Sequence, residues 1–237
     1  MLDPIGRVIL VSGATRGIGL AIARTLHAKG YTLSLGARDP SALTKVLADM
    51  DPTRVMTARY DATDWSTHAT WAEQTAKRFG RIDGLVNNAG VSIPMTIRTA
   101  DEKGLDELWA VNCKAPLSMI RCALPHLEAS GSGRVINIAS LSGKRVANDH
   151  VGYAMTKFAV MALTHATRRI GWDRGVRACA ICPGFVRTDM TAKVTKIAHG
   201  DMIDAADLAE MVATVIALPN TASVAELLVN CQFEATL

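Results

Sequence analysis

No stretch of the chain approaches the roughly 18 uncharged apolar residues that a membrane-spanning helix needs. The start, Met1-Leu2-Asp3-Pro4, runs into a strand-like segment without the basic, apolar and small-residue order of a secretory signal. A soluble, cytoplasmic protein is expected. Cysteine is scarce: Cys113, Cys122, Cys179, Cys182 and Cys231 are an odd number, too widely spread for a disulfide framework. Cys179 and Cys182 do form a C-x-x-C, but in a strand-like run where alternation sends the two sulfurs to opposite faces. No second ligand pair has metal spacing, and the histidines are scattered, so no metal is expected. Concentrated charge of one sign is also missing. The 26 Lys and Arg against 22 Asp and Glu give a net +4 spread along the chain, not gathered in an arm, and no nucleic-acid partner is expected.

What is present is 49% hydrophobic side chains over 237 residues, enough for one sizeable core and too much for disorder as the main state. Short apolar strands alternate with longer helical patterns from end to end, which is the rhythm of parallel βα units. Strands are predicted over residues 7–11, 32–37, 54–60, 82–86, 134–138, 176–182 and 223–230. Helices are predicted over 18–29, from about 40, and over 65–79, 105–127, 153–170 and 205–218, with a kink or break in the 105–127 helix at Pro116 or Pro125. No linker divides the chain, so residues 1–237 form a single domain whose sites are built from loops at the strand ends. Right-handed crossovers then give a doubly wound parallel sheet of order 3-2-1-4-5-6-7. The polar, unpatterned segment 185–204 is expected to be a mobile flap over the site.

Between the first strand and first helix lies Ser12-Gly13-Ala14-Thr15-Arg16-Gly17-Ile18-Gly19, the context in which a glycine-rich turn binds a dinucleotide. Gly13 permits the tight turn, Gly17 lets the backbone approach a pyrophosphate, and Gly19 brings the helix close to the strand. The second strand ends in Arg38, a planar permanent cation suited to the 2′-phosphate of NADP(H), and Arg16 could reach the same group. The competing candidate is Asp39, which would favour NAD(H) by accepting from ribose hydroxyls. Asp39-Pro40-Ser41 is also a helix start, with Asp at the N-cap and Pro at N1. NADP(H) is expected over NAD(H).

Tyr153 and Lys157 stand four residues apart, one turn along a helix face. Ser140 lies thirteen residues before Tyr153 at the end of the fifth strand, and Asn112 within the preceding helix. With the glycine turn, Asn87-Asn88-Ala89-Gly90, and Pro183-Gly184 through Thr188, the chain resembles the short-chain dehydrogenase/reductase family over essentially its whole length. The resemblance implies a Rossmann-type fold and hydride transfer between a nicotinamide and a carbonyl or secondary alcohol. It also implies a catalytic tetrad of Asn112, Ser140, Tyr153 and Lys157. The chemistry suits each residue type. A reduced carbonyl leaves an alkoxide needing a proton, which a phenol supplies, and an ammonium steadies the phenolate left behind. A serine hydroxyl donates where charge develops on oxygen.

The resemblance further implies that the cofactor contacts Ser12, Gly13, Thr15, Arg16, Gly17, Ile18, Gly19, Arg38, Asp61, Asn88, Ala89, Gly90, Pro183, Gly184 and Thr188, together with Tyr153 and Lys157. By it, Asp61 would accept from the adenine amino group, Asn88 and Gly90 would floor the adenosine ribose, and Lys157 would hold the nicotinamide ribose. Thr188 would lie near the carboxamide, and Asn112 would hold a water linking Lys157 to solvent. Plainer alternatives stay open: Asp61 beginning a turn, Thr188 as an ordinary loop residue, Ser142 in place of Ser140. Lys144-Arg145 would face an acidic substrate or merely cover the surface, and His150 would line the pocket or face solvent. The tail, residues 229–237, departs from the family's glycine-rich ending and puts its usual C-terminal packing in doubt. A homodimer or homotetramer is implied. The expected activity is that of an NADPH-dependent carbonyl reductase on a small carbonyl or hydroxy substrate. Its rivals are an NAD-dependent alcohol dehydrogenase and a non-catalytic NADP(H) sensor.

Overall fold

The computed structural model describes residues 1–233. Seven strands, all parallel, form one sheet in the order β3-β2-β1-β4-β5-β6-β7. They are β1 (Val8–Ser12), β2 (Thr32–Ala37), β3 (Val55–Arg59), β4 (Gly84–Asn87), β5 (Arg134–Ile138), β6 (Arg177–Pro183) and β7 (Glu226–Val229). Helices cover both faces, so the central strands read as continuous apolar runs and not as alternations. Helices α1 (Gly17–Ala28), α2 (Ser41–Val46) and α7 (Ala205–Ala217) close one face through Ile22, Leu26, Leu43, Leu208 and Val212 against Ile9, Val11, Leu33 and Ile136. Helices α3 (Trp65–Phe79) and α5 (Ala115–Ala129) close the other through Trp71, Met119 and Leu127 against Leu10, Leu85 and Val135. Along β1, Ile9 and Val11 serve the first core and Leu10 the second, the two-residue period of a strand. Helix α6 (Val151–Gly171) lays Val160 and Met161 on Ala180 and Cys182.

The C-x-x-C divides as strand alternation requires. Cys179 joins the α1 and α7 core and Cys182 the α6 cluster, and burial pushes their thiols up to about 12 and about 11. Among the described residues no group of His, Cys, Asp and Glu is arranged to hold a metal, and no helix is long and apolar enough to cross a membrane.

The 105–127 helix departs from expectation. It is α4 (Glu102–Trp109), a π-helical turn (Ala110–Lys114) and α5, so the irregularity precedes Pro116 and does not sit at Pro125. Pro116 occupies the first turn of α5, where its missing N–H is tolerated. The same absence deprives the carbonyl of Asn112, four residues back, of its helical donor, and the chain widens there, with the Ala115 N–H reaching back to Ala110 O. Segment 185–204 is less irregular than its polarity implied. Val186 and Ile203 form a β-bridge, Arg187 pairs with Asp204, and Val186, Ile197, Met202 and Ile203 are buried. The last strand is shorter than predicted, and residues 234–237 of the divergent tail lie outside the described residues.

At the amino ends of the strands, Asp83 is fully buried. It takes the Val8 N–H at 2.9 Å and two bonds from Arg81 at 2.7 and 2.8 Å, and lies 3.7 Å from the buried Arg7 guanidinium. Asp83 thereby joins β1 to β4, the pair that carries the glycine turn. Asp83→Asn is expected to destabilise the protein by about 3–5 kcal/mol, since Arg7 stays buried without its counter-charge. Equilibrium urea unfolding measures it, and a loss below about 1 kcal/mol would mean that the Arg7 bonds to Ser132 suffice alone.

Candidate active site

The glycine turn leaves β1 at Ser12, whose buried hydroxyl accepts the N–H groups of Asn88 and Ala89 at 3.0 and 3.1 Å and donates to Val86 O at 3.4 Å. The Asn88 amide nitrogen donates to Ser12 O and Gly13 O, at 3.0 and 3.1 Å. Gly13 and Gly17 have φ of +68° and +55°, values that favour glycine. Gly19 is restricted by space: a Cβ there would lie 2.3 Å from Gly13 O and 2.4 Å from Asn88 Nδ2. Thr15 is half-buried in the turn, and Ile18 packs on the α1 core. Helix α1 has no side-chain cap and no acid in its first turn, so its leading N–H groups are free to meet an anion.

The three groups bearing on nucleotide choice, Arg38, Arg16 and Asp39, are placed differently from one another. Arg38 is exposed and has no hydrogen bond or ion pair among the described residues. Arg16 pairs with Asp189 at 2.9 Å. The Asp39 carboxylate accepts the Ser41 N–H at 2.9 Å, and the Ser41 bonds hold its carboxyl below the usual range. Asp61 likewise accepts the Thr63 N–H and hydroxyl at 3.0 and 2.8 Å, which lowers it. Both bonds of that turn fall on one oxygen, Oδ1, so the turn-forming and ligand-accepting readings of Asp61 are compatible.

Ser140 follows the end of β5, which the Lys157 ammonium also reaches, and Tyr153 lies one helical turn before Lys157 on α6. The buried Lys157 ammonium donates to Ile138 O at 2.8 Å, two residues before Ser140, and stands 5.5 Å from the Tyr153 ring centre. It has no other hydrogen bond among the described residues, which leaves two N–H bonds to spend. Ser140 opens a short 3-10 turn (Leu141–Gly143), and its oxygen accepts the Ser142 N–H at 3.1 Å, so its own hydrogen remains available. That turn lies directly on α6, because a Cβ on Gly143 would fall 2.7 Å from Lys157 O. Asn112 is buried, and its amide is fully engaged with Val91 N–H at 2.9 Å, Val91 O at 2.9 Å and Thr156 Oγ1 at 3.1 Å. Gly90 faces it: a Cβ there would lie 3.3 Å from Asn112 Oδ1 and 3.9 Å from Lys157 Nζ.

Pro183 and Gly184 end β6, with the Gly184 N–H on Val229 O at 2.8 Å. Thr188 meets the glycine turn, since a Cβ on Gly17 would lie 3.3 Å from its methyl. His150 is exposed at the start of α6. Lys144 does not face open space but pairs with Glu226 on β7 at 2.6 Å; the other Glu226 oxygen meets His165 at 2.7 Å, and the Lys144 bond chiefly holds the Glu226 carboxyl low. Sequence reasoning passed over Glu226, Asp189 and Thr156. It also passed over a buried polar chain from Asn87 to Asn137 to Thr164, both bonds 2.8 Å, that joins β4, β5 and α6. Its signal was present: Asn137 is the one amide within the apolar fifth strand.

This arrangement puts a glycine-rich turn with an uncapped helix start and the Ser140 and Lys157 side chains at the carboxyl ends of one parallel α/β sheet. The description "short chain dehydrogenase" belongs to the family profile that matches residues 7–199. The chain is 48% identical over 229 residues to an "Agropine synthesis reductase" of Rhizobium rhizogenes, a match covering 96% of this chain and 53% of that protein. The chain thus spans about half the length of such curated relatives. A metagenomic short-chain oxidoreductase solved with NADP is 30% identical with TM-score 0.84, covering 98% of this chain and 100% of that one. The 3-ketoacyl-(acyl-carrier-protein) reductase of Brucella melitensis, solved with NADH, shares the fold at TM-score 0.87 and 23% identity, covering 96% of this chain and 98% of that one. The chain belongs to the short-chain dehydrogenase/reductase family. The residues present fit a nicotinamide dinucleotide: an uncapped helix start in a glycine turn, an exposed Arg38, and an ammonium with hydrogens to give.

Gly19→Ala is expected to open the turn, lowering stability by about 1–3 kcal/mol and abolishing high-affinity dinucleotide binding. Thermal unfolding with and without added NADPH reads both effects; retained stabilisation by NADPH would show that the turn accommodates a methyl group.

Proposed function

We propose that the protein is an NADPH-dependent carbonyl reductase, reversible as a secondary alcohol dehydrogenase, for a small carbonyl or hydroxy substrate. The observation that carries this reading is Lys157, held by Ile138 O beside Ser140 and one helical turn from Tyr153. When bound, the nicotinamide supplies the hydride. Ser140 donates its free hydrogen to the substrate oxygen, where negative charge grows. Tyr153 gives that oxygen its proton as the carbon is reduced, and the ammonium of Lys157 steadies the phenolate electrostatically. The Asn112 amide has no hydrogen left, so its task is to fix the loop after β4 to α6. Its carbonyl, which Pro116 leaves without the usual donor, accepts from the water that resupplies protons from solvent. The first turn of α1 holds the diphosphate, and Lys157 the nicotinamide ribose.

Preference for NADPH is supported by Arg38, which makes no hydrogen bond or ion pair among the described residues, and by Asp39, whose carboxylate accepts from Ser41. The name of the Rhizobium rhizogenes relative favours the reductive direction. Segment 185–204 acts as the flap over the substrate, since Thr188 already abuts the glycine turn. The protein assembles as a homodimer or homotetramer in the cytoplasm. Five free thiols suit a reducing compartment, and Leu117 on α5 with Met155, Phe158 and Ile170 on α6 expose apolar surface for a second copy.

Tyr153→Phe is expected to lower kcat at least about hundredfold while NADPH binding persists. A carbonyl panel followed by NADPH absorbance, with binding by cofactor fluorescence, checks both. Tight NADPH binding with no turnover of any carbonyl in the wild type would favour a sensor. Arg38→Ala is expected to weaken NADPH by about tenfold or more and leave NADH unchanged, the loss of a charged hydrogen bond. An unchanged KM for NADPH would overturn the nucleotide assignment.

A further inference from the structure

Arg16 and Arg38 are the two cations offered to a 2′-phosphate, yet they stand in different states. Arg38 has no hydrogen bond or ion pair among the described residues, whereas Arg16 is already bound to Asp189 at 2.9 Å. Asp189 does not reach it by a wandering loop. It opens a 3-10 turn (Asp189–Thr191) closed by a reciprocal cap, with Thr188 N–H on Thr191 Oγ1 at 3.1 Å. Thr191 Oγ1 in turn donates to Val186 O at 2.6 Å, the residue bridged to Ile203. On the other side Thr188 sits against Gly17, the neighbour of Arg16. The carboxylate is therefore presented to the guanidinium from a fixed turn.

We infer that Asp189 is a selectivity residue that works against NADP(H): its carboxylate competes with the 2′-phosphate for Arg16. The inference rests on NADP(H) being the cofactor. A 2′-phosphate carries about −1.5 to −2 charge near neutral pH and accepts bidentate bonds from a guanidinium. It must exchange places with Asp189 before Arg16 can serve it. NADH, which has hydroxyls there, neither needs Arg16 nor displaces the acid. Asp189 thus narrows the gap between the two cofactors that Arg38 opens. The pair is exposed, with both side chains over 70% accessible, so its effect is modest and weakens with salt.

The test is a double-mutant cycle on cofactor affinity, read by NADPH and NADH fluorescence titration without substrate. Asp189→Asn, which keeps the shape of the side chain, is expected to tighten NADPH by about two- to fivefold and leave NADH unchanged. Arg16→Gln is expected to weaken NADPH, and in that background Asp189→Asn is expected to change nothing. Equal tightening of both cofactors, or a gain from Asp189→Asn that persists without Arg16, overturns the inference. A wild type that binds NADH as tightly as NADPH, with Arg38→Ala altering neither, sinks the cofactor reading and the inference with it. Preference for NADPH that Asp189→Asn leaves untouched sinks the inference alone.

Discussion

The structure depends on how closely the backbone of the glycine turn approaches itself and the end of β4. Gly19 sits so near Gly13 O that no side chain fits, and the Asn88 amide fills the remaining gap by donating to Ser12 O and Gly13 O. Burial of those carbonyls without donors would be costly. One side chain satisfies both and at the same time fixes β4 beside β1. The Ser12 hydroxyl completes the seam by accepting from Asn88 and Ala89. The leading N–H groups of α1 can stay uncapped because the turn before them is held from behind.

Asn112 repeats the device on the other side of the site. Its amide pairs with both backbone groups of Val91 and with Thr156, joining the loop after β4 to α6 through one buried side chain. The π-helical turn that carries it follows from Pro116, and the close approach of Gly90 leaves room for the Lys157 ammonium nearby. Helix α6 is fastened to the sheet by polar contacts as much as by apolar ones: Lys157 to Ile138 O, Thr156 to Asn112, Thr164 to Asn137. Directional bonds limit rotation of a helix in a way that Val160 and Met161 alone do not, and Tyr153 is carried by that helix.

The strand order was legible in the sequence because it needs only the alternation of apolar runs with helical patterns and the handedness of crossovers. Strand β5 is recovered at its exact bounds for this reason, with Arg and Gly marking its entry and Ser its exit. The break in the 105–127 helix was legible as a proline effect, but its position was not. Pro125 lies inside α5 without ending it, and Pro116 acts four residues upstream of itself through a missing donor. Pairings between distant segments were invisible. Lys144 with Glu226 and Arg16 with Asp189 join residues 82 and 173 positions apart, and nothing in their local context marks them. A lysine beside a loop reads as free until the strand that neutralises it is placed.

The two edges of the sheet divide the work according to where charge is tolerated. At the amino edge Asp83 and Arg7 are buried, and Arg134 gives its guanidinium to the carbonyls of Gly133 and Leu218; burial and the neighbouring Arg7 pull it down to about 10. These groups bond mainly within the chain, although the buried Nε–H of Arg7 has no hydrogen-bond partner among the described residues. At the carboxyl edge Arg38, Lys157 and the start of α1 keep donors in reserve. The reason for the asymmetry is topological. Strand order reverses between β1 and β4, so α1 turns to one face and α3 and α5 to the other, and a crevice opens above the carboxyl ends of those two strands. The same reversal that sets the strand order therefore decides which of the buried and half-buried cations are structural and which remain open to an anion.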